Sequence, residues 1–328
     1  MQFKTLLSAA LVVASTVAQE TYGDHHAGGG LADLLSSQPD LSTLAGLISG
    51  FPDLVKTLNE AKDITIFAPS NKAFEALDST GKLAELTKDK ELVEALLTYH
   101  VVHGVFEAKD FKATPQFPHT FLADKPSYTR VTAGQVVELQ LKAGAAIVIS
   151  GEQKVAKVTQ ADIKFGGGVI HVVGSVLSIP PKPSVALAHA NFESLLESIK
   201  ATGLTETIDE GTDLTIFAPT NAAFRDLGTS LNGLSKDEIA NILKYHVIVG
   251  KIGYSSELVN GSFPTLQGAS VTITTTGGKV YVNAAEVVIP DLLVSNGVVH
   301  AISSVLDPKN PGAPPCPPKI KARRRRRA

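Results

Sequence analysis

The sequence predicts an α+β protein in which one domain design is used twice. Three observations carry this. A set of landmark motifs recurs in the same order, helical periodicity fills the first half of each recurrence, and alternating strands with tight turns fill the second half. With 328 residues there is room for two or three domains, and 44% hydrophobic against 19% charged residues supplies cores to bury.

The recurrence is explicit. Thr65-Ile66-Phe67-Ala68-Pro69-Ser70-Asn71-Lys72-Ala73-Phe74 returns 150 residues later as Thr215-Ile216-Phe217-Ala218-Pro219-Thr220-Asn221-Ala222-Ala223-Phe224. Tyr99-His100-Val101 returns as Tyr245-His246-Val247, and Phe117-Pro118 as Phe263-Pro264, both after 146 residues. Gly168-Val169-Ile170-His171 returns as Gly297-Val298-Val299-His300 after 129. From Phe-Pro to the final His the spacing is 54 in copy one and 37 in copy two, so copy one holds 17 additional residues. Asp124, Pro126 and Ser127 read as loop and place much of the excess between His119 and Thr132.

In chain order, Leu44, Ile48 and Phe51 mark an amphipathic helix in copy one, as Phe192, Leu195, Leu196 and Ile199 do in copy two. Ile64–Ala68 and Leu214–Ala218 are short β-branched runs stopped by Pro, which predicts buried strands. The Ser-Asn or Thr-Asn that follows caps a helix bearing Ala73, Phe74 and Leu77. Ser235-Lys236-Asp237-Glu238 is a capping box opening a helix that runs to Tyr245, with Glu91 to Tyr99 as its counterpart. Val137, Leu139 and Leu141 alternate with Glu138, Gln140 and Lys142, which predicts a half-buried strand. Val271 and Ile273 lead through Gly277-Gly278 to Val280 and Val282. Asn296-Gly297 predicts a two-residue hairpin turn with positive φ at both positions, and Gly166–Gly168 fills the equivalent place.

Met1–Lys4 and the apolar Leu6–Ala14, followed by Thr16-Val17-Ala18, predict a signal peptide over 1–18 and a flexible segment over 19–30. Domain 1 then covers 31–180 and domain 2 covers 184–308, joined by the stiff Pro180-Pro181-Lys182-Pro183, which implies domains held close together. A disordered Pro-rich and basic tail is expected over 309–328. Net charge is −2, but without Lys319, Lys321 and Arg323–Arg327 of the tail it is −9. This balance argues against a nucleic-acid binder. No stretch after the leader reaches the roughly 20 apolar residues of a membrane span. One cysteine, Cys316, excludes an internal disulfide framework. It can pair two chains or do nothing.

The ordered set Thr-x-Phe-Ala-Pro-x-Asn-x-Ala-Phe, Tyr-His and Gly-Val-x-His, present twice across about 31–308, resembles the fasciclin domain. The resemblance implies that each domain is a β-sandwich or wedge with helices packed along one side. It also implies adhesion at the cell surface, matrix or wall through proteins or polysaccharide, with no chemistry performed. Family members place Asp three residues after the final His; here Gly174 and Ser303 stand there, so any contact relying on that acid is in doubt.

Tyr99-His100 and Tyr245-His246 fall where a helix ends and a strand begins. They are read first as buried joints, with the His bonded to backbone and polar side chains such as Asn71 or Asn221. The resemblance to animal adhesion proteins offers a second reading, in which this segment contacts a receptor. Asn71, Phe74, His171, Asn221, Phe224 and His300 are read as structural landmarks. His100-x-x-His103 with Glu107 has superficial metal-site spacing, but copy two has Val249 in place of His103, so no metal and no cofactor are expected. His25-His26 offers weak metal binding at most. Asn260-Gly261-Ser262 is the single glycosylation sequon, placed before a Phe263-Pro264 loop. Lys319, Lys321, Arg323, Arg324, Arg325, Arg326 and Arg327 form a cationic arm suited to polyanions or an anionic surface, in a salt-dependent way.

No nucleophile elbow, His-Glu-x-x-His, P-loop or paired-carboxylate motif occurs, so no enzyme is expected. The resulting reading is a secreted adhesion or matrix/cell-wall interaction protein. Its partners are cell-surface or wall proteins or polysaccharides, not nucleic acid. A lipid or sugar carrier with an apolar cleft between domains is the first rival, and a vacuolar or other secretory-pathway location is a variant. A hydrolase, which needs titratable groups converging in a cleft, is the last.

Overall fold

A computed structural model describes residues 30–227 and 233–312. The predicted leader, the segment before Gly30, Cys316 and the cationic arm lie outside these residues.

Domain 1 runs α1 (Leu31–Ser37), α2 (Ser42–Ser49), α3 (Pro52–Glu60), β1 (Ile64–Pro69), α4 (Asn71–Asp78), α5 (Lys82–Leu86), α6 (Lys90–Tyr99), β2 (Val101–His103), β3 (Glu138–Lys142), β4 (Ala145–Ser150), β5 (Lys154–Phe165) and β6 (Gly168–Val173). Domain 2 repeats the plan as α7 (Pro183–His189), α8 (Glu193–Thr202), α9 (Thr205–Glu210), β7 (Leu214–Pro219), α10 (Asn221–Asp226), α11 (Lys236–Lys244), β8 (Val247–Ile248), β9 (Gly261–Pro264), β10 (Ser270–Thr276), β11 (Lys279–Val282), β12 (Ala285–Val294) and β13 (Gly297–Ile302). The sheet orders match, β2-β1-β6-β5-β4-β3 and β8-β7-β13-β12-β11-β10-β9. Both sheets are antiparallel except for β1 with β6 and β7 with β13.

The central strand is buried on both faces, which explains its unbroken apolar run. Ile64, Ile66 and Ala68 meet Leu44, Ile48, Phe74 and Leu97 on the helix side. Phe67 points to the other side, where it meets Tyr99, Leu139 and Val148. Burying one such Phe contributes about 2 kcal/mol. The second core exists because β5 is bulged, with register shifts between Val158 and Ile163. A bulge bends a strand, so the sheet closes over its own inner face. In β12 the shifts fall between Val287 and Leu292.

Three predicted features differ in detail. Phe51 does not continue the helix of Leu44 and Ile48; it starts α3, ahead of Pro52. Phe263-Pro264 lies in strand β9, not in a loop. In the β12–β13 hairpin, Val294 pairs with Gly297, so the turn residues are Ser295 and Asn296, and neither has positive φ. Gly297 instead has φ 151, and an added Cβ there would sit 1.9 Å from the Leu214 carbonyl oxygen. Gly168 repeats this, with φ 153 and the same 1.9 Å to the Ile64 oxygen. Glycine is needed because β7 or β1 runs against this backbone. Positive φ at both turn positions does occur, at Gly277-Gly278 and at Ala143-Gly144.

The extra residues of copy one are now located. Sixteen residues separate His119 from its bridge partner Val136, whereas three separate Thr265 from Ala269. Thirteen of the seventeen therefore lie in this excursion, and the rest fall between Val136 and His171, where β4, its link to β5 and β5 itself are longer than their counterparts. The excursion leans on domain 2. Arg130 donates its N–H to the Ser295 carbonyl at 2.7 Å and accepts from the Asp213 N–H at 3.3 Å. Thr132 donates its N–H to the Asp213 carboxylate at 2.8 Å, and the Gln135 amide donates to the Val294 carbonyl at 3.0 Å. Arg130 also pairs with Glu210. The linker joins the same surface, since Ser295 donates to the Pro181 carbonyl at 2.8 Å.

Candidate functional site

At the end of α6 the last carbonyls need partners, and His100 supplies one. Its Nδ1–H donates to the Leu96 carbonyl at 2.7 Å, and its Nε2 accepts the Leu177 N–H at 3.0 Å. Copy two is the same: His246 Nδ1–H to Ile242 at 2.8 Å, and Leu306 N–H to Nε2 at 2.9 Å. Each imidazole thus ties its helix to the segment that leaves the domain after its last strand. Burial pushes both down to about 4, so both are neutral over the physiological range. Asn71 and Asn221, expected as partners of these histidines, are not. Asn71 accepts the Thr43 N–H at 2.9 Å and donates to Pro39, while Asn221 accepts the Ser194 N–H at 3.1 Å. They cap the start of α2 and α8 from a neighbouring helix, supplying the side-chain acceptor those helices lack.

Tyr99 and Tyr245 are buried, and their hydroxyls donate to the carbonyls of Val136 at 3.0 Å and Ser270 at 2.9 Å. His171 and His300 carry the opposite tautomer. Nε2–H donates to Phe106 at 2.6 Å or Gly253 at 2.8 Å, while Nδ1 accepts the N–H of Asp162 at 3.3 Å or Asp291 at 3.2 Å. Asp162 and Asp291 are the positive-φ residues of the bulges, so each histidine fixes the bend that closes its sheet. Burial lowers both histidines. Phe74 is buried in the helix-side core, and Phe224 packs half-buried on the matching cluster.

Among the described residues no group of three or more His, Cys, Asp or Glu is arranged to hold a metal. Both nitrogens of His100 are engaged, and His103 is exposed and stacked on Phe121 at 4.3 Å. Asn260 is exposed, its side-chain oxygen accepting the Thr275 N–H at 2.6 Å. No helix of the described residues is long and apolar enough to cross a membrane.

The domain boundary holds side chains that the repeat reasoning missed. Phe117 stacks on Tyr254 with ring centroids 4.4 Å apart, and Val136, Leu293 and Val298 pack around them. Side chains fill the place where a carrier would hold its ligand. Open grooves lie instead on domain 1, of about 660 Å³ between α4, α5, α6 and residues 175–181, and on domain 2, of about 510 Å³ between α11 and residues 305–309. Glu138, which the alternation of β3 would expose, is buried. Asp291 is buried as well, and it accepts from the N–H of Ser255 at 2.8 Å and from its hydroxyl. Asp291 left one sequence signal: with Pro290 it interrupts the apolar run from Val287 to Val294.

The fasciclin domain family model matches residues 39–180 and 190–308. A fasciclin-like arabinogalactan protein of Arthroderma benhamiae is 32% identical over 285 residues, covering 86% of this chain and 68% of that protein. Human periostin is 30% identical over 257 residues, covering 74% of this chain and 28% of periostin. Among solved structures, a FAS1 domain pair from the insect cell adhesion molecule fasciclin I aligns with a TM-score of 0.39 and 17% identity, over 82% of this chain and 98% of that one. With both copies matched along their length, the chain belongs to the fasciclin domain family.

Proposed function

We propose that this protein is a secreted adhesion factor that binds cell-wall or matrix components non-covalently through exposed surfaces of its two domains. The observation that carries the reading is the match of both domains to one family, whose similar members include fasciclin-like arabinogalactan proteins and periostin. The architecture fits that role. The Tyr-His and Gly-Val-x-His landmarks are consumed in holding each domain together, which leaves loops and sheet edges for contact. Tyr99, His100, Tyr245 and His246 act as joints in this reading, not as a receptor surface. Asn260 carries a glycan beside edge strand β9, where it also keeps that edge from pairing with another chain. The cationic arm adds a salt-dependent hold on acidic polysaccharide or anionic surfaces.

Purified protein lacking residues 1–18 is expected to sediment with isolated cell-wall or matrix preparations. Removing 309–328 is expected to abolish the salt-sensitive part of that binding and leave the rest. Failure to bind any wall or matrix preparation would remove the adhesive reading.

A further inference from the structure

On the outer side of the domain 2 sheet, strands β9 to β12 carry hydroxyls that core packing does not call for. Val271 and Ile273 of β10, Val282 of β11 and Ala285 of β12 point inward to the sandwich core. Alternation therefore sends Thr272, Thr274, Thr276 and Tyr281 to the opposite side. The register sets them in rows: Thr272 faces Ser262 of β9, Thr274 faces Tyr281, and Tyr281 faces Glu286 of β12. All of them reach solvent, Ser262 most openly. Among the described residues their hydroxyls have no hydrogen-bond partner; only N–H groups are engaged here, those of Thr272 and Thr275 donating to the Asn283 and Asn260 side chains. The fold itself does not require the hydroxyls, because domain 1 builds the matching hairpin without them. The outer residues of β3 and β4 are Glu138, Gln140, Lys142, Ala145, Ile147 and Ile149, and both isoleucines are buried. Net charge is absent from the open face as well. Residues 184–308 hold six basic and thirteen acidic side chains, net −7. Yet residues 261–290 hold only Lys279 and Glu286, which pair with each other at 2.7 Å.

We propose that this outer face of domain 2 is a binding platform for a neutral polysaccharide; the proposal rests on the adhesive reading and names the component and the surface. A neutral sugar chain offers hydroxyls around each ring and an apolar C–H face. Free Ser and Thr hydroxyls match the first, and the ring of Tyr281 matches the second. Successive outward residues of a strand stand about 7 Å apart and neighbouring strands about 4.8 Å apart, so an extended chain laid on the face meets several hydroxyls at once. Charge selects the partner. An acidic polymer is repelled by the net −7 of the domain, and a basic one finds no free carboxylate on the face. A protein partner needs an apolar centre, and Pro264, Tyr281 and Val288 stand apart on three separate strands. The platform and the cationic arm thus address different components, and only the arm is weakened by salt.

The test uses the chain spanning residues 19–328 at high salt, which screens the cationic arm. Sedimentation with insoluble β-glucan, chitin and mannan is measured, beside a polyuronate gel. Binding to at least one of the three neutral polysaccharides is expected, competed by the soluble oligosaccharide of the same kind, with none to the polyuronate. Tyr281→Ala combined with Thr274→Ala is expected to weaken that binding on the order of tenfold. Lys157→Ala, on the outer face of domain 1, is expected to leave it unchanged. Melting temperatures show that the variants are folded. If the double variant does not fold, Thr274→Arg lays a long side chain across the face and is expected to lose binding likewise. Sedimentation with whole walls but with none of the three neutral polysaccharides would overturn the platform and leave the adhesive reading standing. Binding that survives the double variant, or Thr274→Arg where that replaces it, would put the site on another surface and overturn it too.

Discussion

His246 shows how much a single repeated residue carries. Its two ring nitrogens bind the α11 terminus and the segment that leaves the domain, and the neutral form is the one that fits both bonds. Folded, it titrates near 4; unfolded, near 6.5. The depressed value gives a stability contribution that is complete above 6.5 and shrinks as pH falls from 6.5 toward 4, because the unfolded chain takes up the proton first. By pH 5 that loss is about 2 kcal/mol. Replacing His246 by Ala is expected to cost about 3 kcal/mol at pH 7.5, through a void and an unpaired Leu306 N–H. At pH 5 the same substitution should cost about 2 kcal/mol less, since the wild-type chain has already lost that much. Urea unfolding at the two pH values measures this, and an equal cost at both would show that the imidazole is not held neutral.

At the scale of the element, local rules recovered local structure. Ser70 and Thr220 accept from Ala73 and Ala223 as N-caps, and Ser235 with Glu238 completes the expected box. These were legible because a cap is decided within four residues. The hairpin at Asn296-Gly297 was legible as a hairpin but not in its turn, because a neighbouring strand decides the glycine's conformation. Trans-capping by Asn71 was hidden for the same reason: its recipient, Thr43, lies 28 residues away. Gly297→Ala therefore tests the β7–β13 pairing rather than the turn. A Cβ placed 1.9 Å from the Leu214 oxygen forces the parallel pair apart. The variant is expected to lose more than about 4 kcal/mol or to be insoluble. A melting temperature within a few degrees of wild type would mean that the two strands can separate without unfolding the domain.

Across the whole molecule, identical landmarks end in different company. Phe263 of domain 2 sits on its own core with the Lys251 ammonium 4.6 Å from its ring centre. Its counterpart Phe117 is turned to the other domain and stacks on Tyr254. The sequence repeat made these two residues equivalent, and nothing local distinguishes them; the difference arises only when the excursion after Phe117 brings domain 2 against it. Glu138 is likewise misjudged locally, since alternation gives it a polar place in its strand and the folded chain buries it. Phe117 should therefore govern coupling between domains more than the stability of either. Truncating it to Ala removes a stacked ring from a closed apolar cluster, a loss of about 3 kcal/mol from the boundary. The unaltered chain is expected to unfold in one calorimetric transition, because opening the boundary costs enough to tie the domains together. Phe117→Ala should split this into two transitions, one per domain, whereas Phe263→Ala should lower stability without splitting it. A single transition in Phe117→Ala, or a split already present in the unaltered chain, would mean that the boundary does not bind the pair into one cooperative unit.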